Sequence, residues 1–204
     1  MKNGNLLLGA ALAAGLALGL STTADAAVSL SGLSVSYFSG FSENPGVGIT
    51  FSDPGVVVNG STVVTDAISS IHETADYGGT NSDPNWPGGL IAFGADFTGT
   101  INATTAGTYT FAFASDDASY VFINGALVAD EIGPHGLPGL ADFSVPLTAG
   151  ANTLEVQYDN DECCQAAIEF QAVPEPAAWA LMLVGFSGLG AAVRTRRWQV
   201  ARTA

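Results

Sequence analysis

The most informative absence from this sequence of 204 residues is that of basic side chains between its two ends. The chain has 5 Lys and Arg against 19 Asp and Glu, and it contains neither Lys nor Arg between Lys2 and Arg194. Of the acidic residues, only Asp25 and Glu175 lie outside residues 27–172. Carboxylates that cluster in this stretch must therefore repel one another, face water or hold a metal ion. Nucleic-acid binding is excluded, because phosphate contacts need Lys and Arg.

Cysteine is also scarce, since the two cysteines of the chain, Cys163 and Cys164, are adjacent. They cannot cross-link distant parts of a fold. Adjacent Cα atoms lie ~3.8 Å apart, below the ~4.4–6.8 Å that is usual for disulfides, so a bond between the two would be strained. Geometry favours free thiols, whereas an oxidising compartment would permit a vicinal disulfide. The sequence leaves both states open.

Common catalytic motifs are missing as well. His72 has no second histidine four residues further on, so the chain lacks a zinc-protease motif. The sequence contains neither a Gly-x-Ser-x-Gly elbow nor a phosphate-binding loop. Paired carboxylates can cleave glycosides, but two adjacent Asp residues in one loop are a poor acid and nucleophile pair. We therefore expect a protein that is not an enzyme.

The N-terminus has the layout of a secretory signal peptide. Lys2 precedes the apolar run Leu6–Leu20, and the small residues Ala24 and Ala26 follow it. This order of charge, apolar run and small residues predicts a signal peptide over residues 1–26, cut after Ala26.

A second apolar run lies near the C-terminus, over residues 177–193. The residues that flank it are Pro174, Glu175 and Pro176 before it, and Arg194, Arg196 and Arg197 after it. At ~1.5 Å per residue a helix over this run spans roughly 25 Å, near the lower limit for a bilayer. The arginines would remain on the cytoplasmic side, and the prolines would stop the helix from extending backwards.

The tail Val173–Trp198 resembles the PEP-CTERM sorting signal, in which a Pro-Glu-Pro motif, a transmembrane helix and a basic cluster occur in this order. The resemblance implies that residues 173–204 hold the protein in the inner membrane until an exosortase cuts near the motif. The protein would then reach the cell surface or extracellular matrix of a Gram-negative bacterium that makes extracellular polysaccharide. A permanent C-terminal anchor is the alternative.

Residues 27–172 are enough for one domain with a core, and strand signals recur in them at short intervals. Apolar and polar residues alternate in Thr108–Ala114, Phe143–Leu147 and Leu154–Tyr158. Asn124-Gly125 lies between two apolar runs, which is typical of a type I′ hairpin. Short strands at this spacing predict an all-β fold, an antiparallel β-sandwich or barrel.

Acidic residues follow two of these strands, at the points where loops begin. Asp116-Asp117 comes directly after one strand, and Asp159–Glu162 follows Leu154–Tyr158. If both loops leave the same end of the sandwich, carboxylates and the amide of Asn160 converge there without a cation. Ca²⁺ takes ~6–8 oxygen ligands of these kinds. The alternatives are a turn whose side chains cap local N–H groups and a solvated loop.

The order of the strands and loops resembles the protective-antigen-type (PA-fourteen) domain of bacterial toxins, glycosidases and fungal adhesins. The resemblance covers roughly Ser31–Gln171 and depends on these segments: Gly32–Phe38, Phe97–Ile101, Ala106–Phe111, Ser115–Asp117, Val121–Gly125, Gly133–Gly136, Leu147–Gly150 and Leu154–Tyr158. In the lectin-like branch of that family, two consecutive Asp residues joined by a cis peptide bind Ca²⁺. An Asn two residues beyond a strand Tyr and nearby carbonyls complete the shell, and sugar hydroxyls coordinate the same ion.

The resemblance implies a calcium site at matching positions of this chain. Asp116, Asp117 and Asn160 correspond to the side-chain ligands, and the backbone carbonyls of Glu162 and Cys164 follow by offset. A cis peptide between the two Asp residues would favour this site. Asp117 and Asn160 at opposite ends of the sandwich would exclude it.

Trp86 and His135 are further candidate contacts to a ligand. An exposed Trp86 would stack on a pyranose face, and the alternative is a Trp that covers the core. His135 lies in a Gly/Pro loop, where it would border the ligand or order the loop. Together these features predict an exported carbohydrate-binding module whose partner is a glycan or extracellular polysaccharide. The alternative is a structural matrix or envelope protein without a specific ligand.

Replacing Pro174-Glu175-Pro176 with three alanines tests the sorting hypothesis. The motif lies after the last core strand, so we expect the melting curve of the domain to be unchanged. Unprocessed protein should accumulate in the inner membrane, which immunoblots of fractionated cells would measure. Normal release of this variant would leave a plain anchor as the explanation.

Overall fold

The computed structural model describes residues 28–74, 77–89, 91–161 and 165–173. The strands in these ranges are β1 (Val28–Asn44), β2 (Gly48–Pro54), β3 (Val56–Val58), β4 (Ser61–Val63), β5 (Thr65–Ala67), β6 (Ile71–Glu73), β7 (Phe93–Ala103), β8 (Gly107–Asp116), β9 (Ser119–Ile123), β10 (Ala126–Glu131), β11 (Ala141–Leu147), β12 (Gly150–Asn160) and β13 (Ala167–Ala172). No helix in the described part of the chain has the length and apolar character needed to cross a membrane. The predicted signal peptide, the predicted transmembrane helix 177–193 and residues 162–164 lie outside these ranges.

The strands form two main antiparallel sheets that share one core, which confirms the predicted all-β sandwich. The larger sheet has the order β10-β9-β12-β7-β1-β2, with β5 also paired to β1. The smaller sheet has the order β11-β8-β13-β6, and β3 and β4 form a separate hairpin. One hydrophobic cluster contains side chains of both main sheets, such as Phe97 and Val156 from the larger and Phe111 and Ile168 from the smaller.

Strict alternation of apolar residues explains why the long strands form. In β12 the side chains of Leu154, Val156 and Tyr158 point inward and are at most 2% exposed. Val35 and Tyr37 occupy the same inner face in β1 and are fully buried. Successive side chains of a strand point to opposite faces, so this period of two places one face of each strand in the core. Each large apolar side chain buried in this way contributes ~1.5–3 kcal/mol.

Local turn chemistry behaves as predicted at the β9–β10 hairpin. Asn124 and Gly125 have φ values of 53° and 75°, and Ile123 pairs with Ala126 across them. Both positive φ values are what a type I′ turn requires. The stretch between residues 40 and 91, for which no strand was predicted, contributes β2 to β6, and four of these strands are only three residues long.

The strand connections give the domain two poles. The short turn after Ala103 brings the end of β7 and the start of β8 to one pole, so Phe93 and Asp116 lie at the other. Asn160 pairs with Phe93 across β7 and β12, which places it at the same pole as Asp116. We call this end of the domain the loop pole. Val28 pairs with Ala103, so the chain enters the domain at the opposite pole.

A buried network of acidic side chains anchors residues 82 and 83, which precede β7, to both sheets. The Tyr37 hydroxyl donates to Asp83 Oδ2, and the Ser82 hydroxyl donates to Glu73 Oε1. The backbone N–H of Asp83 also donates to Glu73 Oε1, at 3.2 Å. Glu73 and Asp83 are both fully buried. Neutral donors hold these carboxylates, because the domain contains no Lys or Arg.

Burial raises the pKa of carboxyl groups in the domain towards neutrality. Burial raises the pKa of Glu73 to about 7, and burial together with neighbouring carboxylates raises the pKa of Asp159 to about 7. Asp96, desolvated and close to Glu155, has a pKa of about 6. These folded-state pKa values lie above the ordinary values of 4.5 for Glu and 3.8 for Asp. The stability these groups contribute is therefore fully present at acid pH and is lost as pH rises through about 6 to 7.

We expect the melting temperature of the protein in EDTA to fall by several degrees between about pH 4 and pH 8. About 1 kcal/mol shifts the melting temperature of a domain of this size by roughly 2–8 °C, so differential scanning calorimetry can resolve the effect. Glu73→Gln should flatten the dependence, because it removes one titrating buried group. Asp142→Asn, which changes an exposed carboxylate, is the matched control. A melting temperature that rises over this pH range would contradict the expected sign.

Candidate ligand-binding site

The adjacent carboxylates Asp116 and Asp117 lie where β8 ends, at the loop pole. The two residues are only 6% and 7% exposed, and the peptide bond between them is cis, as the family resemblance implied. The Tyr158 hydroxyl donates to the backbone oxygen of Asp116. Because Tyr158 belongs to β12, this hydrogen bond ties the ends of β8 and β12 together across the two sheets.

Neutral donors orient both carboxylates. Asp117 Oδ1 accepts a hydrogen bond from the backbone N–H of His135 at 3.0 Å, and its Oδ2 accepts one from that of Asp161 at 2.9 Å. Asp116 Oδ2 accepts a hydrogen bond from the Tyr77 hydroxyl. Burial raises the pKa of Asp116, and the hydrogen bond from Tyr77 opposes this shift. Two carboxylates therefore sit side by side with fixed orientations and without a cationic side chain.

Asn160 supplies an oxygen without a partner at the same pole. It ends β12 and is fully buried. Its Nδ2 donates to the backbone oxygen of Ile91 at 2.7 Å, which holds the side-chain amide in place. Its Oδ1 is buried and finds no hydrogen-bond partner among the described residues. Leaving such an acceptor unpaired costs ~1–3 kcal/mol, so this oxygen is suited to bind a ligand that the described residues do not provide.

The predicted convergence of the two loops is present. The hydrogen bond from Asp161 to Asp117 joins the loop after β12 to the loop after β8. The donor set of two carboxylates and one unpaired amide oxygen suits a hard cation such as Ca²⁺. Within the described ranges, no three His, Cys, Asp or Glu side chains are arranged to hold a metal ion. A cation here would therefore also need Asn160 and backbone carbonyls. The predicted carbonyl ligands, Glu162 and Cys164, lie outside the described residues.

His135 lies beside the carboxylate pair and orders its loop, which is one of the two alternatives given for it. Its backbone N–H orders the loop by donating to Asp117, and its ring Nδ1 lies 3.2 Å from the backbone oxygen of Gly136. Its Nε2 is buried and has no hydrogen-bond partner in the described part of the chain. An open cavity of about 310 Å³ adjoins the ring and is lined by Glu131, Ile132, His135, Gly136 and Pro138.

Trp86 does not offer its ring to a ligand, which corrects its assignment to the ligand-binding residues. It is 6% exposed and belongs to the hydrophobic core. Its ring lies 5.0 Å from that of Phe93 and 5.4 Å from that of Tyr158, measured between centroids. A large apolar ring gains more from burial against other aromatic rings than from exposure at a loop. The contribution of Trp86 to the site is indirect, through packing on Tyr158.

Tyr77 is a site residue that the sequence did not predict. It precedes Asp116 by 39 positions and lies in the stretch where strand patterns were vague. Its contact with Asp116 depends on how the segment between β6 and β7 folds over the loop pole, and no local pattern encodes this. The sequence indicated Tyr158 as a strand residue and as a spacing marker for Asn160, but not its hydrogen bond to Asp116.

Comparisons with known proteins agree with this architecture. A family model described as the PA14 domain matches residues 29–154, and a model of the PEP-CTERM protein-sorting motif matches residues 172–197. The first match includes Asp116 and Asp117, and it ends six residues before Asn160. No curated protein sequence matches the chain.

Solved structures with a similar fold include proteins of different kinds. An anti-sigma factor domain-containing protein from Clostridium clariflavum is 15% identical, with a TM-score of 0.50 over 72% of this chain and 43% of that chain. A PA14 sugar-binding domain from an RTX adhesin is 20% identical, with a TM-score of 0.44 over 71% and 91% of the two chains. A β-glucosidase from Kluyveromyces marxianus is 14% identical, with a TM-score of 0.49 over 71% of this chain. This chain spans only 17% of the length of that glucosidase.

Both resemblances found in the sequence are thus confirmed by family models. The sorting motif implies an exported protein of a Gram-negative bacterium that an exosortase processes. The domain model covers more than half of the 204 residues and includes nearly all of the described strands. The chain belongs to the PA14 domain family and carries a PEP-CTERM sorting motif at its C-terminus.

Proposed function

We propose that this domain is an exported, calcium-dependent carbohydrate-binding module whose site lies at the loop pole. Asp116, Asp117 and Asn160 would hold the ion, with backbone carbonyls of the loop after β12 completing its shell. Bound Ca²⁺ would neutralise the two carboxylates and offer coordination positions to sugar hydroxyls. The role is binding rather than catalysis, in keeping with the PA14 family and with the lack of a catalytic motif in the sequence.

The observation that carries this proposal is the unpaired oxygen of Asn160. A fully buried amide with an anchored nitrogen and a partnerless oxygen is costly unless a ligand occupies the oxygen. The second support is electrostatic. Asp116 and Asp117 are nearly buried, adjacent and held only by neutral donors, so a divalent cation would relieve their repulsion. A structural protein without a ligand requires neither feature.

The loop beside the ion site is the natural contact for a sugar. His135 connects this loop directly to Asp117, and the same residue lines the cavity of about 310 Å³. A sugar with hydroxyls at the ion would border this cavity. A net charge of -14 disfavours anionic polymers away from the ion. The proposed partner is therefore a glycan or extracellular polysaccharide bound through its hydroxyl groups.

The placement of the site suits a protein that is sorted through its C-terminus. The last described residue, Val173, donates a hydrogen bond to the backbone oxygen of Thr110, in the half of β8 away from Asp116. The sorting motif thus begins on the side of the domain that faces away from the loop pole. The proposed ligand site and the start of the sorting motif therefore lie at opposite ends of the described domain.

Calcium titration of the purified protein tests the proposal. We expect isothermal titration calorimetry to show binding of Ca²⁺, and millimolar Ca²⁺ to raise the melting temperature. An ion present at about 100 times its Kd stabilises the folded state by ~2.7 kcal/mol. Asp117→Asn should weaken binding by about two orders of magnitude, because it removes one charge from a desolvated ligand pair. Asp142→Asn, which removes the same charge at an exposed position, should bind like the unmodified protein.

A glycan array probed with and without EDTA should show signals that EDTA abolishes. Absence of both calcium heat and a melting shift would refute the metal site. Array binding that EDTA leaves intact would refute coordination of the sugar by the ion and retain only a carbohydrate-binding role.

A further inference from the structure

Tyr77 joins three separate segments of the chain through one hydroxyl group. The residue lies between β6 and β7, and its hydroxyl donates to Asp116 Oδ2 at the end of β8. The same oxygen accepts a hydrogen bond from the backbone N–H of Leu137, at 3.1 Å, in the loop between β10 and β11. The ring is 38% exposed, so the junction lies at the surface of the loop pole.

The direction of both hydrogen bonds is determined by chemistry. A backbone N–H can only donate, so the contact with Leu137 uses Tyr77 as the acceptor. The phenol has a single proton, and that proton is therefore committed to Asp116. Hydrogen bonds to a carboxylate are shorter and roughly twice as strong as those between neutral groups. Tyr77 consequently fixes the orientation of the Asp116 carboxylate.

The segment that carries Tyr77 is itself anchored. The backbone N–H groups of Tyr77 and Gly79 both donate to the Thr74 oxygen, at 2.9 and 3.2 Å. Thr74 is 5% exposed, and its own N–H donates to Asn81 Oδ1 at 3.0 Å. Thr74 directly follows Glu73, whose fully buried carboxylate accepts hydrogen bonds from the next part of the segment. The hydroxyl of Tyr77 is therefore presented by a turn connected to the core.

The loop between β10 and β11 is attached to both members of the carboxylate pair. His135 contacts Asp117 directly, and Leu137 contacts Asp116 through Tyr77. Two backbone N–H groups of one loop are thus connected to the two adjacent carboxylates, one directly and one through the Tyr77 hydroxyl. Anything that fixes Asp116 more firmly will also restrict this loop through the Tyr77 hydroxyl.

We propose that Tyr77 is a positioning residue that orients Asp116 for a cation and couples occupancy of the ion site to order in the 133–137 loop. This inference rests on the proposed function, because it assigns a role around the same ion site. Tyr77 would not touch the ion. It would act on ion affinity through Asp116 and on the ligand-facing loop through Leu137.

Tyr77→Phe tests the inference by deleting the hydroxyl and keeping the ring. The matched control is Tyr109→Phe, because the Tyr109 hydroxyl also makes a partly buried hydrogen bond, to the Thr105 oxygen at 2.6 Å, but at the opposite pole. Ca²⁺ alone is the probe, and the full purified chain is used. We expect Tyr77→Phe to weaken Ca²⁺ binding about tenfold in calorimetry, from loss of one hydrogen bond to a charged group. Tyr109→Phe should leave the Kd for Ca²⁺ unchanged.

Hydrogen–deuterium exchange measures the coupling itself. In the calcium-free state, peptides that contain Leu137 should exchange faster in Tyr77→Phe than in the unmodified protein or in Tyr109→Phe. Saturating Ca²⁺ should slow exchange of the 133–137 loop in the unmodified protein and in Tyr109→Phe. In Tyr77→Phe, the same occupancy should protect Leu137 much less.

The outcomes separate this inference from the proposed function. Absence of Ca²⁺ binding by the unmodified protein would overturn the proposed function and, with it, the coupling. Calcium binding and loop protection that Tyr77→Phe leaves unchanged would overturn the role of Tyr77 alone. A purely structural role would speed exchange throughout the β6–β7 segment of Tyr77→Phe and leave its Kd for Ca²⁺ unchanged, and that result would also overturn the inference.

Discussion

Buried negative charge that only neutral groups can balance is the constraint on which this domain depends. Residues 28–173 contain no Lys or Arg, yet they place Glu73, Asp83, Asp116 and Asp117 at low exposure. The groups that donate hydrogen bonds to these carboxylates are tyrosine hydroxyls, a serine hydroxyl and backbone N–H groups, in place of basic side chains. Such donors orient a carboxylate but do not neutralise it, so burial raises the pKa of Glu73 and of Asp116 and the fold retains uncompensated repulsion.

This constraint has different consequences in two parts of the molecule. Around Glu73 and Asp83 the carboxylates are enclosed and hydrogen-bonded to the chain itself, so they fasten a segment to the core and make stability depend on pH. At the loop pole, the pair Asp116-Asp117 lies beside an amide oxygen that has no partner among the described residues. The first arrangement is complete within the polypeptide. The second has an unpaired acceptor oxygen, and for that reason we propose the loop pole as the ligand site.

Side chains of the hydrophobic core help to position the carboxylate pair. Trp86 packs on the ring of Tyr158, and the Tyr158 hydroxyl holds the backbone oxygen of Asp116. Both strands that end at the site, β8 and β12, are central to their sheets and bury most of their side chains. The carboxylate pair is therefore positioned by rigid strands. The neighbouring 133–137 loop is attached to it directly by the hydrogen bond from His135 to Asp117, and indirectly by the hydrogen bond from Leu137 to Tyr77.

Alternation along single strands was sufficient to predict the all-β fold from Phe93 onwards, because a half-buried strand needs nothing beyond its own period of two. The carboxylate pair, Asn160 and the sorting motif were also readable as local motifs, and the Asn124-Gly125 turn followed from its backbone preferences. Short strands between residues 40 and 91 escaped prediction, because three residues are too few to show a period. Tertiary structure alone decided that Trp86 is buried, that both acidic loops share one pole and that Tyr77 reaches Asp116. Each of these features depends on contacts between segments that are far apart in the chain. The energy of such a contact cannot be inferred from the residue pattern of either segment alone.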